Sequence, residues 1–324
     1  MNYGFIENVR DKLERRINKL REIDDPETYH RYLVFLWDFL QKSSIIEGVL
    51  DELQKRTTDA ENIADKIVNQ HIDIPLDNEI LHASVSFFVI KKCVSSENLI
   101  EMWTVEGYNK SRSFTENIMF FHQFFVDTLY QYIDEQLYDQ RMVLTFLRRY
   151  KHKCEWFKRE KLFSIYENNT QVGERRLTYD LYEYLYDQGI EFSIEPSSAS
   201  GKPDLIAAQN TDDPLIADAK IFNPDSGKNI SYLVKGFHQI YQYTLDYNDP
   251  FGYLIIFKTC EEDLKFNLKN KEQSTPFIMY NNKTIFFIVI DIFPYEKPAS
   301  QRGKLKAYEL NEDQLIKIIE NENN

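Results

Sequence analysis

The 324-residue sequence predicts a two-part α+β chain: an all-α helical domain over 1–165, then an α/β domain over 166–324 around a central mixed sheet. Three observations predict this. The first half repeats apolar residues three and four apart, without strand-like alternation. Beyond residue 190 that spacing gives way to short apolar runs bounded by Gly, Pro, Asn and Asp. Two of those runs, FGYLIIF (251–257) and TIFFIVIDIF (284–293), are apolar throughout, as strands covered on both faces are.

In chain order, Ile6, Val9, Leu13, Ile17 and Leu20 mark the stripe of a helix over 2–22. Asp25-Pro26-Glu27 starts the next, with Asp as cap, Pro in the first turn and an acid at the positive helix end. Leu33, Leu36, Trp37 and Leu40 continue it. Helices follow over 44–56, 59–70 and 78–95, with a break at 71–75. Ser113 caps a long aromatic helix (Phe114, Ile118, Phe121, Phe125, Leu129, Ile133), and a separate helix is expected over 139–166. These aromatic stripes are core packing rather than a cofactor site. A helix over 174–188 stops at Gly189. A strand at 190–194, a small-residue loop at 197–201 and two strands at 205–208 and 215–217 come next, the last two joined by the turn residues 210–214. A helix over 231–247 precedes the strand at 251–257. The charged stretch 261–274 reads as a surface insertion before the strand at 284–293, and Asn311 caps a last helix.

Hydrophobic residues make up 43% of the chain and aromatics 15%, enough for a core in each part. No apolar run reaches the length of a membrane span, and the N-terminus has no apolar signal core. Cys93, Cys154 and Cys260 lie far apart, as buried thiols in a reducing cytoplasm would. The six histidines show no zinc spacing, and no phosphate-binding G-x-x-x-x-G-K-[ST] loop or G-x-S-x-G elbow occurs. A net charge of −13 argues against a protein that coats nucleic acid by bulk charge.

Against this background the stretch GKPDLIAAQNTDDPLIADAKIF (201–222) stands out. Asp204 opens one strand, and Asp218 and Lys220 sit two apart on one face of the next. Charges on a core strand cost several kcal/mol unless paired, hydrated or bound to a metal. Two carboxylates and an ammonium converging at a sheet edge suit a hard divalent cation, with the lysine beside its bound water. One further segment, Arg148, Arg149, Lys151, Lys153, Lys158 and Arg159 interleaved with Tyr150, Trp156 and Phe157, has the composition of a strand-tracking nucleic-acid contact, or of a solvated helix face.

Pro203-Asp204 followed by Asp218-Ala219-Lys220 resembles the PD-(D/E)XK, or restriction-endonuclease-like, nuclease superfamily. Glu174 upstream matches its additional acidic position, and Gln239 with Tyr243 matches the Q-x-x-x-Y helix of RecB-like members. The likeness covers about 173–257. It implies a Mg²⁺- or Mn²⁺-dependent phosphodiester hydrolase acting on nucleic acid, DNA ahead of RNA. Asp204, Asp218, the Ala219 carbonyl and Glu174 would be metal ligands, Lys220 would position the attacking water, and Gln239 and Tyr243 would support the lysine or touch substrate. A nuclease joined to a helical module is also the architecture of bacterial defence and restriction-type effectors, with the helical part serving a partner protein, regulation or a homodimer. The rival expectation is a non-catalytic nuclease-fold scaffold bearing a helical interaction module.

Overall fold

The computed structural model describes residues 5–70, 76–95, 113–168, 170–188, 192–194, 205–207, 215–297, 301–303 and 305–322. The chain divides into two compact units, Met1–Arg141 and Met142–Asn324.

The first unit is helical. Helix α1 (Phe5–Arg21) buries Ile6, Val9, Leu13, Ile17 and Leu20. Helix α2 (Pro26–Lys42) opens with Pro26, and the Asp25 carboxylate accepts from the Thr28 amide at 2.8 Å, as the sequence predicts. Helices α3 (Ser44–Arg56), α4 (Ala60–Gln70) and α5 (Glu79–Ser95) follow. From Ala83 to Ile90 α5 is buried on every side. Ser113 caps α6 (Phe114–Phe121) through the Glu116 amide. Helix α6 continues directly into a π-helical turn at His122–Val126 and then into α7 (Asp127–Lys153). The break expected before residue 139 is absent because Leu129, Ile133, Leu137, Leu144 and Leu147 keep one buried stripe through it. Arg10 holds Asp134 with two hydrogen bonds of 2.8 and 2.7 Å, tying α1 to α7.

The second unit reaches back to Met142, earlier than the expected boundary at 165. The C-terminal part of α7, a second π turn (Cys154–Lys158) and α8 (Arg159–Glu167) belong with the sheet. The cause lies in their cations: Arg148 donates to Thr275, Gln273 and the Glu272 carbonyl, Lys151 to the Val289 carbonyl, and Arg159 to the Phe293 carbonyl.

Helix α9 (Thr170–Asp187) leads to strands β1 (Phe192–Ile194), β2 (Leu205–Ala207) and β3 (Leu215–Phe222). After a short turn come α10 (Ile230–Asp246), with Asn229 capping the Ser231 amide, and β4 (Phe251–Lys258). The stretch read as a surface insertion instead holds β5 (Asp263–Asn267) and β6 (Asn270–Glu272). The chain continues through β7 (Thr275–Tyr280), β8 (Lys283–Asp291), β9 (Ala307–Asn311) and α11 (Glu312–Glu322). Strands β5 and β9 pair with each other in parallel. The main sheet is mixed, ordered β1-β2-β3-β4-β8-β7-β6. Its three central strands β3, β4 and β8 run parallel, and the flanking pairs are antiparallel.

Helices cover both faces of this sheet. On one, Leu233, Phe237 and Ile240 of α10 and Leu315 and Ile319 of α11 share a core with Ile216, Phe222, Leu254, Ile256 and Phe287. On the other, the fully buried Tyr150 ring meets Phe257 edge-on at 6.4 Å and Tyr184 at 5.1 Å. Coverage on both faces explains why β4 is buried at all eight positions.

Candidate functional site

Strand β3 alternates, so Ile216, Asp218, Lys220 and Phe222 share the face beneath α10. Ile216 and Phe222 enter the core, and the two charged residues lie between them. The side chain of Asp218 is only 4% exposed and that of Lys220 12%. Lys220 Nζ stands 2.5 Å from Asp218 Oδ2 as an ion pair. Asp218 Oδ2 is nevertheless buried without an aligned hydrogen bond.

Helix α10 sets the lysine. Gly236 lies against the Lys220 stem, and a Cβ there would come within 2.9 Å of Lys220 Cγ. A glycine inside a helix costs about 1 kcal/mol relative to alanine, and here it lets the lysine methylenes pass across the bare backbone. One turn earlier, Tyr232 donates from its hydroxyl to Glu174 at 2.8 Å. Burial, and then the Glu174 charge, push the Tyr232 pKa well up, so its hydroxyl stays a donor. The Lys228 ammonium lies 3.9 Å above the Tyr232 ring centroid.

The sequence reading puts Glu174 at the first residue of its helix, but α9 begins at Thr170 and places it one turn in. It still reaches β3: its Oε2 accepts the Ile221 amide at 3.0 Å. Pairing of β2 with β3 is described up to Leu205↔Ala217, so four residues further on the strand's outward amide is answered by a carboxylate. Glu174, Tyr232, Lys220 and Asp218 thus form one polar cluster between α9, β3 and α10.

Of the remaining expected residues, Asp204 lies outside the described residues. Ala219 is buried in the β3–β4 register opposite Ile255. Tyr232, Gly236, Gln239 and Tyr243 occupy one stripe of α10 at i, i+4, i+7 and i+11. Gln239 is exposed, whereas Tyr243 is buried in the core beneath the helix, so the two do not share one environment. His238 turns to Gln242 at 3.2 Å. Of the basic segment, Arg148, Lys151 and Arg159 brace the sheet, Lys158 pairs with Asp180 at 2.9 Å, and Lys153 lies over Tyr184. Arg149 is exposed.

Whether these residues suit a divalent cation turns on the donor set. Asp218 and Glu174 offer the hard oxygens such an ion takes, although Asp218 Oδ2 already faces the Lys220 ammonium. Both Glu174 oxygens already accept protein hydrogen bonds, which suits contact through water better than a direct bond. Among the described residues no group of three metal-ligating side chains assembles.

Sequence reasoning misses Tyr232 and Gly236. The available signal is their place on the Gln239–Tyr243 stripe, together with a glycine inside an otherwise regular helix. The three cysteines are buried thiols outside any disulfide, and burial pushes the Cys154 and Cys260 thiols up to about 12. No helix among the described residues is long and apolar enough to cross a membrane. No family model, curated protein or solved structure matches the chain.

Proposed function

We propose that the second unit is a divalent-cation-dependent nuclease of the restriction-endonuclease-like kind, hydrolysing phosphodiester bonds of nucleic acid, DNA ahead of RNA, in the cytoplasm. The observation that carries this reading is a carboxylate and an ammonium two residues apart on a core strand, 4% and 12% exposed. A fold does not retain such a pair cheaply, since an apolar pair of similar volume is often as stable or more so.

In this reading Asp218, with Asp204 and the Ala219 carbonyl, would hold Mg²⁺ or Mn²⁺. The bound ion would supply a water of lowered pKa and charge neutralisation at the phosphate. The chain's own groups do the rest. Lys220, its stem confined by Gly236, orients the attacking water and offsets charge developing on the phosphate oxygens. Tyr232 stays protonated and fixes Glu174, which in turn fixes β3 through the Ile221 amide. Gln239, exposed on the same helical stripe, is available to substrate. The helical unit serves a partner protein, regulation or a homodimer.

The test is cleavage of plasmid, linear and single-stranded DNA and of RNA by the purified chain with Mg²⁺ or Mn²⁺, beside Asp218→Ala and Lys220→Ala. Cleavage equal in all three proteins removes these residues from the chemistry.

A second reading, a non-catalytic scaffold, is favoured by the 2.5 Å Asp218–Lys220 pair and the saturated Glu174 carboxylate, which together make a closed polar network. Calorimetry with Mn²⁺ separates the two: no uptake by the wild-type chain supports the scaffold.

A further inference from the structure

We infer that the helical unit carries a binding site for an aromatic anion of the nucleotide class, in a groove between α1 and α2. The groove has a volume of about 540 Å³ and is lined by Arg15, Arg16, Lys19, Tyr32, Phe35 and Phe39, with Asp38 and Lys42 paired to each other at 2.9 Å along it. This site is separate from the cluster on β3 and does not depend on the reading given to that cluster.

Three features point to this ligand. The first is the floor. Tyr32 and Phe35 meet edge to face at 5.7 Å, and Phe35 remains 53% exposed, so the pair presents an aromatic surface to the groove. The second is Arg16. Its guanidinium sits 4.1 Å from the Phe39 ring centroid and donates to the Lys12 carbonyl at 2.9 Å. A planar guanidinium fixed over one ring leaves its other face for a second planar group, and a base is such a group. The third is charge. The chain as a whole carries −13, yet this groove gathers Arg15, Arg16 and Lys19 on successive turns of one helix. Lys19 is held by Glu22 in an exposed pair, which is worth little and yields readily to a phosphate. A nucleobase on the rings with its phosphate on Arg15 and Lys19 satisfies both halves of the groove. An apolar peptide would leave the cations unanswered, and inorganic phosphate would leave the rings in water.

The experiment is calorimetric titration of the full chain with ATP, adenosine, inorganic phosphate and a short oligo(dA). The expected result is binding of ATP far tighter than of adenosine or phosphate alone. Affinity should fall by about tenfold in Phe35→Ala and in Arg15→Glu/Lys19→Glu, each lost stacking or charge contact being of that order. Because these residues are at the surface, thermal melting should be unchanged in both variants. Oligo(dA) displacing ATP at lower concentration would identify the terminus of a strand as the natural source of the nucleotide, and ATP outcompeting oligo(dA) would identify a free nucleotide. Absence of ATP binding at millimolar concentration, or equal binding by wild type and both variants, overturns the inference. So does a wild-type dimer in light scattering that Phe35→Ala dissociates without any ATP binding, since the groove would then be a self-contact.

Discussion

In the helical unit, Tyr29 passes a hydrogen bond to His122 Nδ1 at 2.9 Å, His122 Nε2 faces Asp127 at 3.2 Å, and Asp127 meets Arg21 at 2.8 Å. In the α/β unit, Glu174, Tyr232, Lys220 and Asp218 form a cluster of similar size. The first places a neutral group at its buried end and lets charge begin only at Asp127, toward the surface. Burial lowers the His122 pKa, so the ring is uncharged near neutral pH. The second places an ion pair at its most buried point. The contrast teaches that the chain can build an inexpensive internal polar link where only packing is required, and departs from it on β3. A departure of that kind is where function is to be sought.

Five measurements break or sharpen this contrast, the two largest effects first. If the proposed nuclease reading holds, Lys220→Ala lowers cleavage by about 10²–10³-fold, the usual loss when one group stabilising transition-state charge is removed. Asp218→Ala should bring cleavage to background, while Tyr29→Phe leaves the rate unchanged in a plasmid assay. Gly236→Ala should come next: its Cβ overlaps the Lys220 stem, and overpacking of this sort costs about 1–3 kcal/mol in chemical denaturation. Cleavage should drop with it although no charge changes. Tyr29→Phe strips the buried His122 Nδ1 of its partner and should destabilise the chain by about 1–3 kcal/mol, read from the same denaturation curves.

The smallest effect is a pH dependence. The folded-state pKa of His122 lies below its ordinary value of 6.5, with burial the largest cause and Asp127 opposing it. As pH falls through that value the unfolded chain takes up the proton first and binds more protons than the folded one. Stability contributed by His122 is therefore present above the unfolded pKa and declines as pH drops toward the folded pKa. Thermal melting followed from neutral to mildly acidic pH should show this slope, and His122→Gln should flatten it.

Much of the architecture is legible in the sequence because it rests on local rules. The caps at Asp25 and Ser113, the stripe of α1 and the continuous apolar runs of β4 and β8 each carry their own signal. The failures share a different cause. The break expected before residue 139 is bridged by α7, which runs unbroken from Asp127 to Lys153, and the π turns at His122–Val126 and Cys154–Lys158 carry no signal in the spacing. Strands β5, β6 and β9 are short and charged, and they exist through their pairing partners, which for β5 and β9 lie far along the chain. In the basic segment, composition alone does not distinguish cations that face phosphate from cations such as Arg148 that hold a hairpin. At the site, Asp218 and Lys220 are visible as charge on a core strand, and Glu174 does reach that strand. The roles of Tyr232 and Gly236 emerge only once α10 is laid across β3.

The carboxylate of Glu174 on the Ile221 amide has one more consequence. An unanswered strand margin is an invitation for a second polypeptide to add itself, and natural sheets guard such margins with charge. At Ile221 a neighbouring helix delivers that charge to a strand amide, and a tyrosine hydroxyl holds it in place. The acid that frames the cluster is thus also the acceptor that completes a main-chain amide of the core strand.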